Sequence, residues 1–180
     1  MDSQSWKFNF FLLQDPDGNE VGTDESGELY ARTGISMGGY GGDPDATRAA
    51  SLEGLFSVGD MARRDSQGYY YIVGRSAHLI ITGGVNVYPA EVEEALTSHP
   101  DVIEAAVVGM PDKQWGERIT AVITAKPTVS IGSLRDWTAT RLSKAQRPKD
   151  YRFWKTLPVS PQGKVSKKTI VQMLKDGRKM

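Results

Sequence analysis

The sequence predicts an α+β fold: a small strand-rich N-terminal piece, residues 1–75, followed by a compact C-terminal domain, residues 76–180, with helices packed on a small sheet. Three observations predict it. Up to Arg75, short apolar runs alternate with turn residues. Beyond Arg75, apolar strand-like runs alternate with segments whose apolar residues recur at helical spacing. The length of 180 residues suits one ordinary domain or two small ones.

The elements follow in order. Residues 8–13 form an apolar run that Asp15-Pro16-Asp17-Gly18 ends with strong turn chemistry. Residues 28–32 are a second strand. Asp43 is placed to cap a short helix that begins at Pro44 and continues toward Leu52. Residues 56–62 and 69–73 flank the Asp65-Ser66-Gln67-Gly68 turn as a hairpin. A β-domain this short leaves sheet edges and apolar faces uncovered, which calls for a further domain, another chain or a second copy. Then Leu79-Ile80-Ile81-Thr82 reads as a buried strand, Gly83-Gly84 as a sharp turn, and Pro89 as the first turn of a helix. Glu91, Glu93 and Glu94 suit the positive end of that helix, and Val92, Ala95 and Leu96 its inner side. Residues 102–108 and 118–125 are apolar strands joined by an exposed connection. Ser133 caps or opens a helix that runs to Leu142 and buries Leu134, Trp137 and Leu142. Residues 151–154 are a short strand. Ser166 caps a final helix with Ile170, Val171 and Leu174 inward. Laid on one face of the sheet, these helices complete the domain.

Composition excludes several functions. Lys plus Arg is 22 and Asp plus Glu is 22, so no bulk charge draws the chain to nucleic acid or an anionic membrane. Without cysteine there is no disulfide and no thiol nucleophile. With only His78 and His99, no metal site is expected. No apolar run has the length of a membrane span, and no signal-peptide pattern is visible, so the expected location is cytoplasmic. The glycine-rich run from Gly38 to Gly42 lacks the strand-to-helix context of a phosphate cradle, and Gly163-Lys164-Val165 lacks the Ser or Thr of a Walker loop.

Several segments together carry a resemblance. They are Gly54-Leu55-Phe56-Ser57-Val58-Gly59-Asp60, the run from Gly74-Arg75 through Thr82-Gly83-Gly84-Val85-Asn86-Val87-Tyr88-Pro89, Val107-Val108-Gly109-Met110-Pro111-Asp112, Trp115-Gly116-Glu117, and Leu157-Pro158-Val159-Ser160-Pro161-Gln162-Gly163-Lys164. In this order they resemble the adenylate-forming enzymes: acyl- and aryl-CoA synthetases, luciferases of the firefly type and peptide-synthetase adenylation domains. The glycine segment looks most like the CoA-ligase branch. The resemblance covers the C-terminal portion of such an enzyme. The Ser/Thr/Gly-rich phosphate loop, the acyl pocket and the Thr-Glu pair that serves Mg2+ have no counterpart here, so Mg2+ is expected to bind outside this chain.

The resemblance implies roles. Asp60 matches an aspartate that accepts hydrogen bonds from both ribose hydroxyls of ATP or AMP. Arg75 matches an arginine near the ribose and the domain junction, where its fixed fork suits an oxygen-rich ligand. Lys164 matches the lysine that bridges carboxylate and α-phosphate during adenylation. Gly83 and Gly84 match the turn beside which the thiol arm of coenzyme A enters. Each has a plain structural counterpart: a hairpin aspartate, a solvated arginine, one lysine among several, a tight turn. The hinge position carries Ala77 where the family usually has Asp or Lys, so the polar latch is missing while backbone flexing remains. His78 reads as structural. Two classes follow. The first is the mobile C-terminal part of an acyl- or aryl-CoA ligase, inactive without an N-terminal synthetase domain supplied in cis or in trans. The second is a non-catalytic domain that binds a nucleotide, CoA or a partner protein.

Overall fold

The computed structural model describes residues 10–32 and 42–180. Phe8 and Asn9 of the expected first strand, and the glycine run up to Gly41, lie outside the described residues. The chain divides into two compact units, Met1–Ala77 and His78–Met180.

The first unit is one antiparallel sheet. Its strands are β1 (Phe10–Gln14), β2 (Ser26–Arg32), β3 (Ser51–Leu52), β4 (Leu55–Arg64) and β5 (Tyr70–Arg75), with a short helix α1 (Pro44–Ala49) before β3. The long β4 is the spine: β2 lines one edge, and β3 and β5 share the other. Two aspartates close its turns in the same way. Asp15 Oδ1 accepts the amides of Asp17 and Asn19, both at 2.9 Å. Asp65 Oδ1 accepts those of Gln67 and Tyr69, also at 2.9 Å. Those amides hold both carboxyls below the ordinary aspartate range, the backbone bond from Asn19 leading at Asp15 and that from Tyr69 at Asp65.

One expected element ends early. The helix after Asp43 stops at Ala49, because Leu52 pairs with Leu55 across a two-residue turn in which both Glu53 and Gly54 have positive φ. Glutamate seldom adopts that conformation, so the residue types hide the turn. The unit also leaves large side chains in the open: Tyr69 is 64% and Ile72 59% exposed.

The second unit contains β6 (Ile80–Thr82), β7 (Val85–Val87), α2 (Pro89–Thr97), β8 (Val102–Asp112), β9 (Gly116–Ala125), α3 (Ile131–Ala139), β10 (Asp150–Phe153) and α4 (Lys167–Lys175). A single 3-10 turn, Ser76–His78, precedes β6 across the unit boundary. Central β9 pairs antiparallel with β8 and parallel with β10, and β6 joins it at Thr82 and Gly116.

Both faces of this sheet are covered. Val92 and Leu96 of α2 and Leu134 of α3 pack with Val107, Ile119, Ala121 and Ile123. On the opposite face Ile170 of α4 packs with Ala106, Val108, Val122, Trp154 and Leu157. The expectation of helices on one face is therefore corrected. The reason is in β8 and β9: consecutive residues point to opposite sides, and both sets are apolar. The α3 boundaries also differ from expectation. Ser130 is the cap, accepting the Ser133 amide at 3.0 Å, while Ser133 reaches back to Ser130. Trp137 is half-buried, its indole N–H donating to the Ala95 carbonyl at 2.9 Å and its face beneath the Arg141 guanidinium. The fully buried residue on that turn is Thr138.

Amides of β1 and β2 are expected to exchange with solvent faster than those of β8 and β9, because both apolar clusters among the described residues lie in the second unit. Hydrogen exchange on a demonstrated monomer checks this; equal protection contradicts it.

Candidate functional site

Asp60 and Arg75 are cross-strand neighbours on β4 and β5. Arg75 Nε donates to Asp60 Oδ1 at 2.7 Å, and Arg75 Nη1 to the Val58 carbonyl at 3.0 Å. The backbone beneath is fixed by buried Ser57. Its hydroxyl donates to Glu28 and accepts the Gly59 amide at 2.9 Å. Ser76 Oγ completes the frame by donating to the Gly59 carbonyl at 3.3 Å. The two side chains thus form one preassembled acceptor–donor pair. The carboxylate keeps its second oxygen for a hydroxyl, and the half-exposed guanidinium keeps donors for an anion.

In the second unit, Gly83 and Gly84 form the two-residue turn between β6 and β7, with φ of +58° and +79°. Both values lie in the left-handed region, as a type I′ hairpin turn requires. Gly83 is held further. Its amide donates to the Trp115 carbonyl at 2.8 Å, and a Cβ built on it would lie 2.8 Å from the Trp115 ring. The backbone edge at this turn is therefore less open than two glycines suggest, since the Gly83 amide is already engaged.

Trp115 itself is positioned by Asp112, whose Oδ1 accepts the amides of Gln114 at 2.9 Å and Trp115 at 3.1 Å. Those two bonds hold the Asp112 carboxyl below the ordinary aspartate range. Thr82, Gly83, Val85, Trp115, Lys144 and Lys149 surround a pocket of about 310 Å³. Lys149 Nζ sits 4.5 Å from the Trp115 ring centre. The Thr82 hydroxyl is buried and, among the described residues, has no hydrogen-bond partner. This is a mostly apolar slot whose lining includes that threonine and two lysines. Its dimensions and donors suit a thin, amide-bearing chain with an anionic end. An aromatic residue such as Trp115 is by type alone more often core, and nothing in the sequence singles out Lys144 or Lys149. Tyr88, at the end of the same hairpin, is buried and does not line the slot.

The pKa direction gives a test. A depressed folded pKa means that Asp112 contributes order above its unfolded value and loses that contribution as pH falls through the folded one. The Trp115 indole resonance is therefore expected to hold steady from neutrality down to about pH 4 and to shift only below the ordinary aspartate value of 3.8. Asp112→Asn should remove that acid-range shift; its persistence in the variant contradicts the assignment.

Lys164 occupies a separate tight turn before α4. Val159 bridges Val165, the Ser160 amide donates to the Lys164 carbonyl at 2.7 Å, and the Gly163 amide donates to the Ser160 carbonyl at 2.8 Å. The Lys164 side chain is exposed and makes no ion pair among the described residues. Three residues on, Lys167 anchors the turn: its Nζ lies 2.7 Å from Glu93 Oε1, which also accepts the Val107 amide at 2.7 Å. Glu93, expected only to complement the α2 dipole, is thus a buried-side tether between α2, β8 and the start of α4. Among the described residues no group of His, Cys, Asp and Glu is placed to hold a metal, and no helix is long and apolar enough to cross a membrane.

Residues 91–164 match the AMP-binding enzyme C-terminal domain family. A feruloyl-CoA synthase of Amycolatopsis sp is 40% identical over 162 residues, which are 89% of this chain and 33% of that protein. A sulfoacetate–CoA ligase of Cupriavidus necator is 39% identical over 154 residues, covering 84% of this chain and 30% of the relative. Among solved structures, o-succinylbenzoate CoA synthetase from Bacillus subtilis, in complex with its acyl-adenylate intermediate, matches with a TM-score of 0.84 at 34% identity, over 95% of this chain and 34% of that one. The chain spans about a third of the length of the relatives it matches. With the family match, the relatives and the shared architecture in agreement, the chain belongs to the adenylate-forming enzyme superfamily, the AMP-binding ligases, and corresponds to their C-terminal portion.

Proposed function

We propose that the chain is the C-terminal part of an acyl- or aryl-CoA ligase, which activates a carboxylic acid with ATP and passes the acyl group to coenzyme A. The observation that carries this reading is the match to a ligase structure in complex with an acyl-adenylate, together with the Asp60–Arg75 pair held on its hairpin. In this reading residues 1–75 are the end of the N-terminal synthetase domain, and residues 76–180 are the mobile C-terminal domain. Ala77, the last residue of the first compact unit, is the hinge. Asp60 accepts the ribose hydroxyls, and Arg75 orients that carboxylate and donates to the nucleotide. Exposed Lys164 is delivered to the forming bond and offsets charge on the α-phosphate. The Gly83–Trp115 slot takes the pantetheine arm, with Lys144 and Lys149 toward its phosphate end. Mg2+ and the acid bind on the domain that completes the enzyme.

The test is direct. Purified chain with ATP and a panel of acids is expected to release pyrophosphate more slowly than about 0.1 s⁻¹, well below an ordinary enzyme. The same chain joined to the remaining part of the feruloyl-CoA synthase relative is expected to turn over. Turnover by the chain alone overturns the division of the active site. A folded but inert joined protein favours a non-catalytic binding domain.

A further inference from the structure

A second groove lies on the α4 side of the sheet in the second unit and takes no part in the function proposed above. Its volume is about 420 Å³. Two donors on β9, two residues apart and so on one face, line it: Arg118 and Thr120. Arg118 Nε and Thr120 Oγ1 are both buried from solvent and have no hydrogen-bond partner among the described residues. Thr120 is 1% exposed. The nearest carboxylate to the Arg118 fork is Asp112, whose Oδ2 is 3.8 Å from Nη1, too far for a hydrogen bond. Buried donors left in this state are costly, and two beside one groove mark a place where an acceptor belongs.

The charge of the walls names the acceptor. Arg118, Arg152, Arg178 and Lys179 line the groove, against a single carboxylate, Asp150. Asp150 is occupied: Arg152 donates to its Oδ2 through Nε at 3.0 Å and Nη2 at 2.9 Å. Arg178 leans on Asp176 and Arg118 faces Asp112 at 3.8 Å, both carboxylates outside the lining, so Lys179 is the charge left uncompensated within it. A neutral ligand would leave that positive field unanswered. A monocarboxylate offers two oxygens, whereas a phosphate group offers three acceptor oxygens and up to two charges to a guanidinium fork, a hydroxyl and an ammonium at once.

We infer that this groove is a binding site for a small phosphate-type anion, held by Arg118 and Thr120 at its base and by Arg178 and Lys179 at its rim. It is distinct from the Gly83–Trp115 slot and from the Lys164 turn, with which it shares no residue. The inference does not depend on the ligase reading, and it is tested on the chain as it stands.

The measurement is calorimetric and NMR titration of the full chain with inorganic phosphate and pyrophosphate at constant ionic strength, with acetate as the carboxylate control. Saturable binding of a phosphate probe, with amide shifts at residues 118–120 and 177–179, is expected. Arg118→Gln should weaken it at least tenfold, and Thr120→Val several-fold. Lys164→Ala should leave it unchanged, which separates this site from the proposed adenylation chemistry. Should Arg118→Gln fail to fold, the exposed pair Arg178→Gln and Lys179→Gln carries the test and should weaken binding at least fivefold. Absence of saturable binding, equal binding of acetate, shifts centred on Lys164, or unchanged affinity in the groove variants overturns the inference.

Discussion

In the complete ligase, Lys164→Ala is expected to slow acyl-adenylate formation by about 10²–10³-fold, the usual cost of removing one preorganised charge stabiliser. Thioester formation from preformed adenylate should be spared. The structural ground is the isolation of Lys164: its ammonium is exposed and unpaired among the described residues, so its removal leaves no buried partner stranded. The turn itself is held by backbone bonds from Ser160 and Gly163 and by Lys167 on Glu93, none of which involves the Lys164 side chain. The variant should therefore fold with unchanged Tm, which makes the kinetic loss interpretable. Stopped measurement of the two half-reactions, each timed separately, checks it. Equal slowing of both steps contradicts the role.

Gly84→Trp is expected to show the opposite pattern. Adenylate formation should continue, while thioester formation falls by about 10²-fold or more, the scale at which misplacing a reacting group acts. The choice of Gly84 over Gly83 comes from the geometry. A Cβ on Gly84 meets no atom within 4 Å, whereas one on Gly83 collides with the Trp115 ring. The strain at Gly84 is confined to its positive φ, a cost of order 1 kcal/mol, so the hairpin should persist with an indole beside the slot. Gly83→Ala would instead disturb Trp115 and confound binding with folding. If both substitutions slow the same step equally, Lys164 and the glycine turn do not serve separate half-reactions.

Much of the fold was legible because its signals are local. The turns at Asp15 and Asp65 declare themselves by residue type, and the Pro89 helix by its proline and its apolar spacing. The turn at Glu53-Gly54 was not legible, since a glutamate with positive φ has no signature in sequence. The two-sided burial of β8 and β9 was present in their unbroken apolar runs, yet a run does not say which helix covers which side. For the site, Asp60 and Arg75 were readable as separate residues, but their cross-strand pairing depends on a register shift at Met61 and Ala62 that only the folded sheet reveals. The slot beneath Gly83 was missed for a similar reason. Lys149 reaches Trp115 through the parallel pairing of β10 with β9, which brings together residues more than thirty positions apart.

The bond from the Val107 amide to Glu93 has a consequence for solubility. It occupies a main-chain donor on the outer border of β8 and places a carboxylate there, so a second molecule cannot extend the sheet past that point without displacing an ion pair. Among the described residues the outer borders of β1 and β5 carry no such carboxylate guard, and Tyr69 and Ile72 stand exposed nearby. Aggregation on concentrating or warming the isolated chain should therefore begin from the strand-rich unit, and a lysine placed at Ile72 should delay it more than one placed at Ile103 on β8.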